Sequence, residues 1–501
     1  MRPQDLATLA HAACYELSDA IEILESLRSK VQSSMELQAF MQQEKARTYA
    51  AMVEMQLALN QPEAALDWAE RGKARAFIDL MGAKTPTTPR TEVANRLKQQ
   101  DQLEREMGEL QGHLALLPAE GERGAAVRDS QQLADRTRRY GALLEEMAAS
   151  SPEVAATRVT RPQSFAEIRS SLPPDLLVIE YFATGAPDTA LSAWAISAQG
   201  LVCHPITVKP QELRDRVQAF RSFIAQPDAP YPAELSQQLY QELLQPFAAQ
   251  LDQAKLVCIV PHGILHYLPF HALRAGDKYL IERWPMIYAP SLNALWLCRR
   301  HNPSAQGSMI VFANPQAPAG LPSLPFADQE ARDISAESAH AQVLSGGQAT
   351  ETAAKQQSGG KDIIHFATHG ELNPYAPLLS CLYLTPDQDN DGRLEVHEIF
   401  DLRLNASLVT LSACQTALGA VSDGDDMVGL SRAFMYAGTP TVLASLWRVP
   451  DQSTAALMAD FYGALTKTDK ARALQQAQCR ALHAGKSPYQ WAAFQIIGDW
   501  Q

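Results

Sequence analysis

Two short stretches decide the fold of this chain: Ile363–Gly370, which reads IIHFATHG, and Leu408–Thr416, which reads LVTLSACQT. Each begins with an apolar run suited to a buried β-strand and continues to a residue that carries chemistry, His369 in the first and Cys414 in the second. Unbroken apolar strands are typical of parallel sheets covered on both faces, where functional side chains gather just past the carboxyl ends of strands. We therefore expect two strands that present a histidine and a cysteine at one edge of a sheet.

The alternation of apolar runs with helical stretches extends from about residue 160 to the carboxyl terminus. Further strands are expected at Leu176–Phe182, Leu191–Ile196, Leu256–Val260, Met309–Phe312 and Thr441–Trp447. Helices are expected at Ala233–Gln250, Phe326–Glu337, Met427–Ala437, Thr454–Leu465 and Ala471–Ala484. This pattern predicts an α/β fold with a largely parallel sheet flanked by helices over residues 160–501.

The first 83 residues predict helices only. Apolar residues recur at helical spacing across Tyr49–Ala76, on both sides of the break Asn60-Gln61-Pro62, which indicates two antiparallel helices joined by a turn. The pair resembles a tetratricopeptide repeat, with Ala64, Ala65, Trp68 and Ala69 on the packing face. A period of about 34 residues does not repeat here, so we expect one or two repeats at most.

A linker rich in proline and threonine, Lys84–Arg90, separates these helices from the next region. Residues 91–155 then predict a helical hairpin, because Glu92–Leu117 and Ala126–Ala149 are charged and amphipathic. Charge on such helices is more typical of a solvated face than of a binding site.

Composition excludes several classes of protein. No apolar run approaches the roughly 20 residues of a membrane span, and the amino terminus lacks the apolar core of a secretory signal, so a cytoplasmic location is expected. A net charge of −13 disfavours direct nucleic-acid binding. The seven cysteines are scattered without a CxxC pair, which indicates free thiols in a reducing compartment.

A histidine and a cysteine at neighbouring strand ends are the pair that thiol catalysis requires. A thiol with a pKa of about 8.5 is mostly protonated at neutral pH, and a nearby imidazole makes the thiolate accessible. His369 precedes Cys414 by 45 residues, a separation similar to that in caspase-type sites. Taken singly, each residue is more typical of a buried structural cysteine or a strand-end cap. The paired placement favours catalysis.

At the level of whole motifs the sequence resembles the CHAT domain, a caspase-like family related to separase. The resemblance rests on HFATHG (365–370), LSACQTALG (411–419), the segment 429–451, WAAFQIIGDW (491–500) and two upstream segments, 260–273 and 324–334. It implies a cysteine endopeptidase with a dyad of His369 and Cys414. It also implies an inactive pseudo-protease half at 160–300 before an active half at 305–501.

The resemblance also implies where the substrate binds. The backbone N–H groups of Gly370 and Cys414 are expected to form an oxyanion hole, and Ser412, Trp447, Arg448 and Asp451 to contact substrate. In separase-like enzymes an aspartate at the position of Asp451 receives a basic side chain before the cut. Caspases use arginine side chains to bind a substrate aspartate, so Arg448 would instead imply an acidic residue before the cut. We favour a basic residue at that substrate position over an acidic one.

Three other features of the sequence bear on ligand binding. The segment Asp387–Glu398 has the spacing of an EF-hand calcium loop, but a strand ending at Pro386 precedes it where an EF-hand needs a helix. The pairs His262/His266 and His365/His369 lack the single helix face that zinc needs at that spacing. No phosphate-binding glycine motif follows a strand. We expect no cofactor and no metal, and His365 packed in the sheet with its ring hydrogen-bonded.

Two functions from different classes follow. The first is a cysteine endopeptidase that cleaves protein substrates and is recruited or regulated through a partner on the N-terminal helices, as in bacterial signalling or defence systems that combine tetratricopeptide and CHAT regions. The alternative is a catalytically silent scaffold for protein–protein interaction.

The acidic residues Asp423, Asp425 and Asp426 follow the cysteine. They are typical of a solvated loop or of the start of a helix.

Overall fold

The computed structural model describes residues 13–23, 35–82, 163–184, 191–301, 307–316, 324–373, 379–412, 420–421 and 427–501, with single positions at 132, 136, 139 and 321. The helical hairpin expected at 91–155 lies outside these residues except at 132, 136 and 139, which are helical. Cys414 and the acidic residues 423, 425 and 426 also lie outside them.

The N-terminal region is helical wherever it is described. It contains α1 (13–23), α2 (Met35–Ala58) and α3 (Pro62–Gly82). Asn60 makes the turn between α2 and α3 with a φ of 57°, the left-handed conformation that asparagine tolerates better than most residues. Ala65, Leu66 and Ala69 of α3 are buried. The expected pair of helices around the Asn60 turn is confirmed.

The α/β region alternates strands and helices as the sequence predicts. In chain order the strands are β1 (Leu176–Phe182), β2 (Leu191–Ser197), β3 (Gly200–Ile206), β4 (Leu256–Val260), β5 (Arg274–Ala275), β6 (Lys278–Tyr279), β7 (Met286–Tyr288), β8 (Ser308–Ala313), β9 (His340–Ser345), β10 (Ile363–Ala367), β11 (Gly370–Glu371), β12 (Cys381–Tyr383), β13 (Arg393–Glu395), β14 (Leu408–Leu411), β15 (Ala420–Val421), β16 (Met427–Val428), β17 (Thr441–Ser445) and β18 (Phe494–Gly498).

Helices connect and cover these strands. They are α4 (Phe165–Arg169), α5 (Pro210–Ile224), α6 (Ala233–Leu243), α7 (Ala248–Leu251), α8 (Leu292–Arg300), α9 (Ala327–Ser335), α10 (Glu351–Gln357), α11 (Val396–Ile399), α12 (Leu430–Tyr436), α13 (Asp451–Leu465), α14 (Lys470–His483) and α15 (Pro488–Trp491). Short 3-10 helices lie at Gln245–Phe247, Gly263–Tyr267, Phe270–Ala272, Leu280–Glu282 and Gly346–Gln348.

One eleven-stranded sheet organises the domain, in the order β3-β2-β1-β4-β7-β18-β17-β14-β10-β8-β9. The strands β1, β4, β7 and β18 run parallel to one another, and so do β17, β14, β10, β8 and β9. The two parallel blocks meet at the antiparallel pair of β18 and β17. The largely parallel α/β fold flanked by helices, with a helical region before it, is therefore confirmed.

Several elements differ from the sequence-based expectation, for identifiable reasons. The edge strand β9 is mostly solvent-accessible and lacks an apolar run, and β7 has only three residues. In β18, Gln495 breaks the run of apolar residues, so the sequence does not mark this strand. The helix expected from Met427 begins instead at Leu430, because Met427 and Val428 pair with the short strand β15.

Helix α3 docks on the first parallel block through buried polar groups. The Lys73 ammonium donates to the carbonyl oxygens of Tyr181 at 2.5 Å and Pro261 at 3.2 Å, where β1 and β4 end. It also lies 3.4 Å from the carboxylate of Glu180, which is completely buried. The Glu70 carboxylate accepts from the backbone N–H groups at the start of α8. These contacts fix α3 on the sheet.

Candidate active site

The site begins with the register between two central strands. In β10 and β14, Ile363 lies opposite Leu408 and Phe366 opposite Leu411, so partners are 45 residues apart throughout. His369 follows β10 by two residues and is 7% exposed. Position 414 is 45 residues after 369, and Cys414 itself lies outside the described residues. The strand that leads to His369 and the strand that leads to position 414 are therefore parallel neighbours in the sheet.

A cleft of about 150 Å³ lies at the carboxyl ends of β10, β14 and β17. The strand-end residues that line it include Thr368, Ser412 and Arg448, and the neighbouring helices α9 and α13 contribute Glu330 and Asp451. Arg448 is exposed, whereas Asp451 is partly buried. Both candidate specificity residues therefore line one cleft near His369.

Asp451 occupies the first turn of α13, directly after Pro450. Its Oδ2 accepts a hydrogen bond of 2.7 Å from the Phe326 backbone N–H. Burial raises the pKa of the Asp451 carboxyl, and nearby Glu330 raises it further, while the Phe326 hydrogen bond and the charge of His369 act in the opposite direction. Asp451 therefore lines the cleft with one carboxylate oxygen fixed by a backbone N–H group.

Ser412 and Trp447, both expected to contact substrate, have different surroundings. Ser412 is 8% exposed, lines the cleft, and its hydroxyl has no hydrogen-bond partner among the described residues. Trp447 is 3% exposed, and its indole N–H donates to the Tyr489 carbonyl at 3.0 Å. The structure therefore brings Ser412 to the cleft and places Trp447 in the core beside it.

A buried network connects the strands behind the cleft. His365 Nε2 lies 2.8 Å from Glu330 Oε1, and His365 Nδ1 lies 3.2 Å from the hydroxyl of Tyr462. The same hydroxyl is 2.7 Å from Oγ1 of Thr410 on β14. His365 is packed in the sheet with its ring hydrogen-bonded, as expected. Sequence reasoning missed Glu330, which on a charged helix resembles any solvent-facing glutamate.

The described cysteines are unsuited to nucleophilic attack. Burial raises the pKa of the Cys203 and Cys479 thiols to about 11 and of the Cys298 and Cys381 thiols to about 12. Burial also raises the pKa values of Cys14 and Cys258. Because the thiolate is the reactive form, the raised pKa values make these thiols less reactive at neutral pH.

Lys355 holds the segment Asp387–Glu398, whose spacing resembles that of a calcium-binding loop. The ammonium of Lys355 lies 2.6 Å from Glu351 Oε1, 2.7 Å from Glu398 Oε1 and 2.7 Å from Asn390 Oδ1. The Asp387 carboxylate accepts from the Thr352 hydroxyl and from backbone N–H groups of its own turn. A protein cation and protein donors thus satisfy oxygens that an EF-hand would offer to calcium.

The remaining candidate metal ligands, such as His262, pack against the protein. The His262 ring packs against Phe182, with ring centroids 4.9 Å apart. Across the described ranges, no three His, Cys, Asp or Glu side chains converge in a way that would hold a metal ion. None of the helices in the described part of the chain combines the length and apolar character that a membrane crossing requires.

A largely parallel sheet, a helical N-terminal region and a strand-end cleft beside His369 define an α/β protein whose candidate site lies where such sheets carry function. The chain belongs to the CHAT domain family, which matches residues 233–499.

Relatives and solved structures with similar features are distant. Tetratricopeptide repeat protein 28 of Mus musculus is 29% identical, and its Homo sapiens counterpart 28% identical, over 48% of this chain and 12% of each relative. Two crystal structures of the Saccharomyces cerevisiae separase–securin complex align with 97% of this chain and 48% of theirs, at 11% and 10% identity and TM-scores of 0.42 and 0.43. This chain spans only a minor part of the relatives' length.

Proposed function

We propose that this chain is a cysteine endopeptidase with Cys414 as nucleophile and His369 as general base and acid. The observation that carries the proposal is the constant offset of 45 residues between β10 and β14, which is also the separation of His369 and Cys414 in the sequence. Residues at equal offset past paired parallel strands leave the sheet at one edge, and the cleft lies at that edge.

The chemistry proceeds in two steps. His369 accepts the Cys414 thiol proton, the sulfur attacks the scissile carbonyl, and the backbone N–H groups of Gly370 and Cys414 stabilise the oxyanion. The His369 imidazolium then protonates the departing amine, leaving a thioester. His369 next takes a proton from water, the resulting hydroxide attacks the thioester, and the released thiolate regains the proton.

We propose a basic residue before the cut, bound by Asp451. The Asp451 carboxylate lies partly buried in the cleft and accepts a hydrogen bond from the Phe326 N–H, which places an acidic group where a basic substrate side chain would enter. The guanidinium of Arg448 is exposed, which suits a rim position better than an anion pocket. Charge-assisted pairing with Asp451 therefore favours an arginine or lysine substrate side chain.

We also propose the division into a first half at 160–300 and a catalytic half at 305–501, with residues 1–83 and 91–155 as helical regions. The order of the sheet supports it, because the strands of the first half, β3, β2, β1, β4 and β7, occupy one end, and those of the second half, β18, β17, β14, β10, β8 and β9, occupy the other. In the first half the carboxyl ends of β1 and β4 are covered by Lys73 rather than by a histidine–cysteine pair.

Regulation through the N-terminal helices is part of the proposal. Helix α3 contacts α12, which follows the segment that carries Cys414. A protein partner on α2 and α3 would therefore act on a helix that follows the Cys414 segment in the chain. A cytoplasmic bacterial signalling or defence system is the setting that fits this organisation. A catalytically silent scaffold is the second candidate, and the curated relatives named for tetratricopeptide repeats favour it.

Active-site labelling tests the proposal. The wild type, Cys414→Ala, His369→Ala and the control Cys381→Ala are incubated with arginyl and aspartyl acyloxymethyl ketones, and the modified residue is found by mass spectrometry. We expect arginyl labelling of Cys414 that needs His369 and persists in Cys381→Ala. Labelling spread over several cysteines would support the scaffold function. The same conclusion would follow if no cysteine is labelled, whether or not a partner of the N-terminal helices is present.

A further inference from the structure

The chain around His369 has no regular secondary structure of its own. Thr368 and His369 connect the central strand β10 to the short strand β11, which pairs antiparallel with β12. Tyr383 of β12 lies across from this connection. Its backbone N–H donates to the His369 carbonyl at 2.9 Å, and its own carbonyl accepts from the Thr368 hydroxyl. Hydrogen bonds to one residue of the neighbouring strand therefore set the path of the backbone that carries His369.

The Tyr383 side chain extends this contact beyond His369. Its hydroxyl donates to Oε2 of Glu371 and accepts from Nη1 of Arg393 at 2.9 Å. The Arg393 guanidinium lies 5.2 Å from the centre of the Tyr383 ring and 3.7 Å from the Glu371 carboxylate. Burial raises the pKa of Tyr383 to about 12, so the hydroxyl keeps the proton that it donates. Tyr383 thus contacts residues on both sides of His369, although the Glu371 side chain is 49% exposed.

The hairpin of β12 and β13 is itself anchored. The Leu384 N–H donates to the Gly392 carbonyl, and the Gly392 N–H donates to Oε2 of the buried Glu351 on α10, each at 2.8 Å. Gly392 has a φ of 85°, and a Cβ atom there would lie 2.6 Å from the Leu384 carbonyl oxygen, so this turn requires glycine. A carboxylate on a neighbouring helix therefore holds the turn, and Tyr383 reaches the His369 backbone from a fixed strand.

We propose that Tyr383 is a positioning residue, which orients His369 through the hydrogen bonds of its backbone and its hydroxyl to residues 368, 369 and 371. This inference rests on the proposed endopeptidase function, in which the His369 imidazole accepts a thiol proton. Proton transfer requires heavy atoms about 2.6–3.2 Å apart, and a misplacement of about 1 Å can cost about a hundredfold in rate. Tyr383 acts on the reaction through the segment that carries the imidazole, and not through contact with substrate.

The pH dependence of Cys414 alkylation tests the orientation of His369 without a substrate. Wild type, His369→Ala, Tyr383→Phe and Tyr231→Phe are treated with iodoacetamide from acidic to alkaline pH, and the rate at Cys414 is followed by mass spectrometry. The control Tyr231→Phe removes another tyrosine hydroxyl with two contacts, to Ser236 and Ala272. We expect the midpoint of Tyr383→Phe to rise by about one pH unit toward that of His369→Ala, and the control to match the wild type.

Turnover separates positioning from binding. Tyr383→Phe is expected to lower kcat on a fluorogenic arginyl peptide by about tenfold or more, with KM within about twofold, because proton transfer is impaired while the peptide still binds. Glu371→Leu removes the acceptor of the same hydrogen bond and should lower kcat alike, whereas Glu371→Gln keeps an acceptor oxygen and should restore most of it. The double variant Tyr383→Phe/Glu371→Leu should fall no further than either single variant.

The failure of the inference can be told apart from failure of the proposed function. A wild-type alkylation profile equal to that of His369→Ala would overturn the proposed dyad, and this inference with it. A profile that needs His369 but is unchanged in Tyr383→Phe and Glu371→Leu, with unchanged kcat, would overturn the role of Tyr383 and leave the endopeptidase intact. Additive losses in the double variant, or an equal loss in Tyr231→Phe, would reduce Tyr383 to a contributor to general stability. Glu371→Leu and Glu371→Gln decide between these outcomes if Tyr383→Phe does not melt as a folded protein.

Discussion

His365 of β10 and Thr410 of β14 lie opposite each other in the parallel sheet and contact the same hydroxyl group, that of Tyr462. A slip of one residue in either strand would turn one of the two side chains to the other face and break the arrangement. The shared contact therefore holds the register of β10 and β14, the strands that lead to His369 and to position 414.

Removing the shared hydroxyl should weaken that register. We expect Tyr462→Phe to lower the free energy of unfolding by about 1–2 kcal/mol, because two buried groups lose a hydrogen-bond partner. Urea unfolding measures the loss. Tyr15→Phe is the control, since the Tyr15 side chain is 76% exposed. Equal stability of the two variants would contradict a role for Tyr462 in holding the strands.

Thiol reactivity should single out Cys414. Burial raises the pKa of Cys203 and Cys479 to about 11 and of Cys381 to about 12, so these thiols stay protonated and unreactive toward iodoacetamide at pH 7.5. We expect Cys414 to alkylate first, and more slowly in His369→Ala. The modified cysteines are read by mass spectrometry against time. Alkylation of Cys381 at the rate of Cys414 would argue against the assignment.

The Lys73 anchor should be worth several kcal/mol. Lys73→Met removes the cation beside the buried Glu180 and the donor to two strand-end carbonyls, and we expect a loss of about 3–5 kcal/mol in the free energy of unfolding. Burial raises the pKa of Glu180, and repulsion by Glu70 raises it further. The Glu180 carboxylate is therefore unfavourable without the Lys73 ammonium beside it.

A neighbouring cation on the same helix provides the control for that anchor. The Arg71 guanidinium lies 4.4 Å from the Trp68 ring, partly exposed, and Arg71→Met is expected to cost no more than about 1 kcal/mol. Similar losses in Lys73→Met and Arg71→Met, measured by chemical unfolding, would show that α3 is not anchored by Lys73.

Calcium should leave the melting temperature unchanged. Burial alone would lower the pKa of Lys355, but its hydrogen bonds with Glu351 and Glu398 raise it, so the ammonium stays charged among the oxygens. We expect Lys355→Ala to lower the free energy of unfolding by about 2 kcal/mol, since a buried carboxylate loses a charged partner. A calcium-dependent rise in the wild-type melting temperature, abolished by Asp387→Ala, would instead show that the segment Asp387–Glu398 binds calcium.

Stability should fall as pH decreases because of His271. This ring is buried between the Tyr288 hydroxyl at 3.0 Å and the Ala492 carbonyl at 2.9 Å, and burial lowers its pKa from 6.5 to about 4. Since the folded pKa is below the unfolded one, the contribution is present above pH 6.5 and is lost as pH falls toward 4. We expect about 2 kcal/mol less stability from this group at pH 5 than at pH 7.

The variant His271→Gln isolates that contribution. It should flatten the pH dependence of urea unfolding between pH 7 and pH 5, while His340→Gln, which alters an exposed histidine, should leave it as in the wild type. A pH dependence unchanged by His271→Gln would assign the acid sensitivity to other groups.

Apolar runs bounded by breakers predicted most of the central sheet. Leu176–Phe182, Leu256–Val260 and Ile363–Ala367 form strands with the expected bounds. Strands without such a run escaped prediction, among them the accessible β9 and the short β7, because their place in the sheet comes from pairing partners distant in the chain.

The amino-acid sequence by itself determined the fold class, the helical N-terminal region, and the placement of His369 at a strand end, since period and apolar content are local properties. Only the tertiary structure decided that Glu330 lines the cleft and that Lys355 forms an ion pair with Glu398 in the segment that resembles a calcium loop. Both depend on side chains from different elements meeting in space. A charged residue on a helix has the same local pattern whether it faces solvent or a pocket, and only packing separates the two.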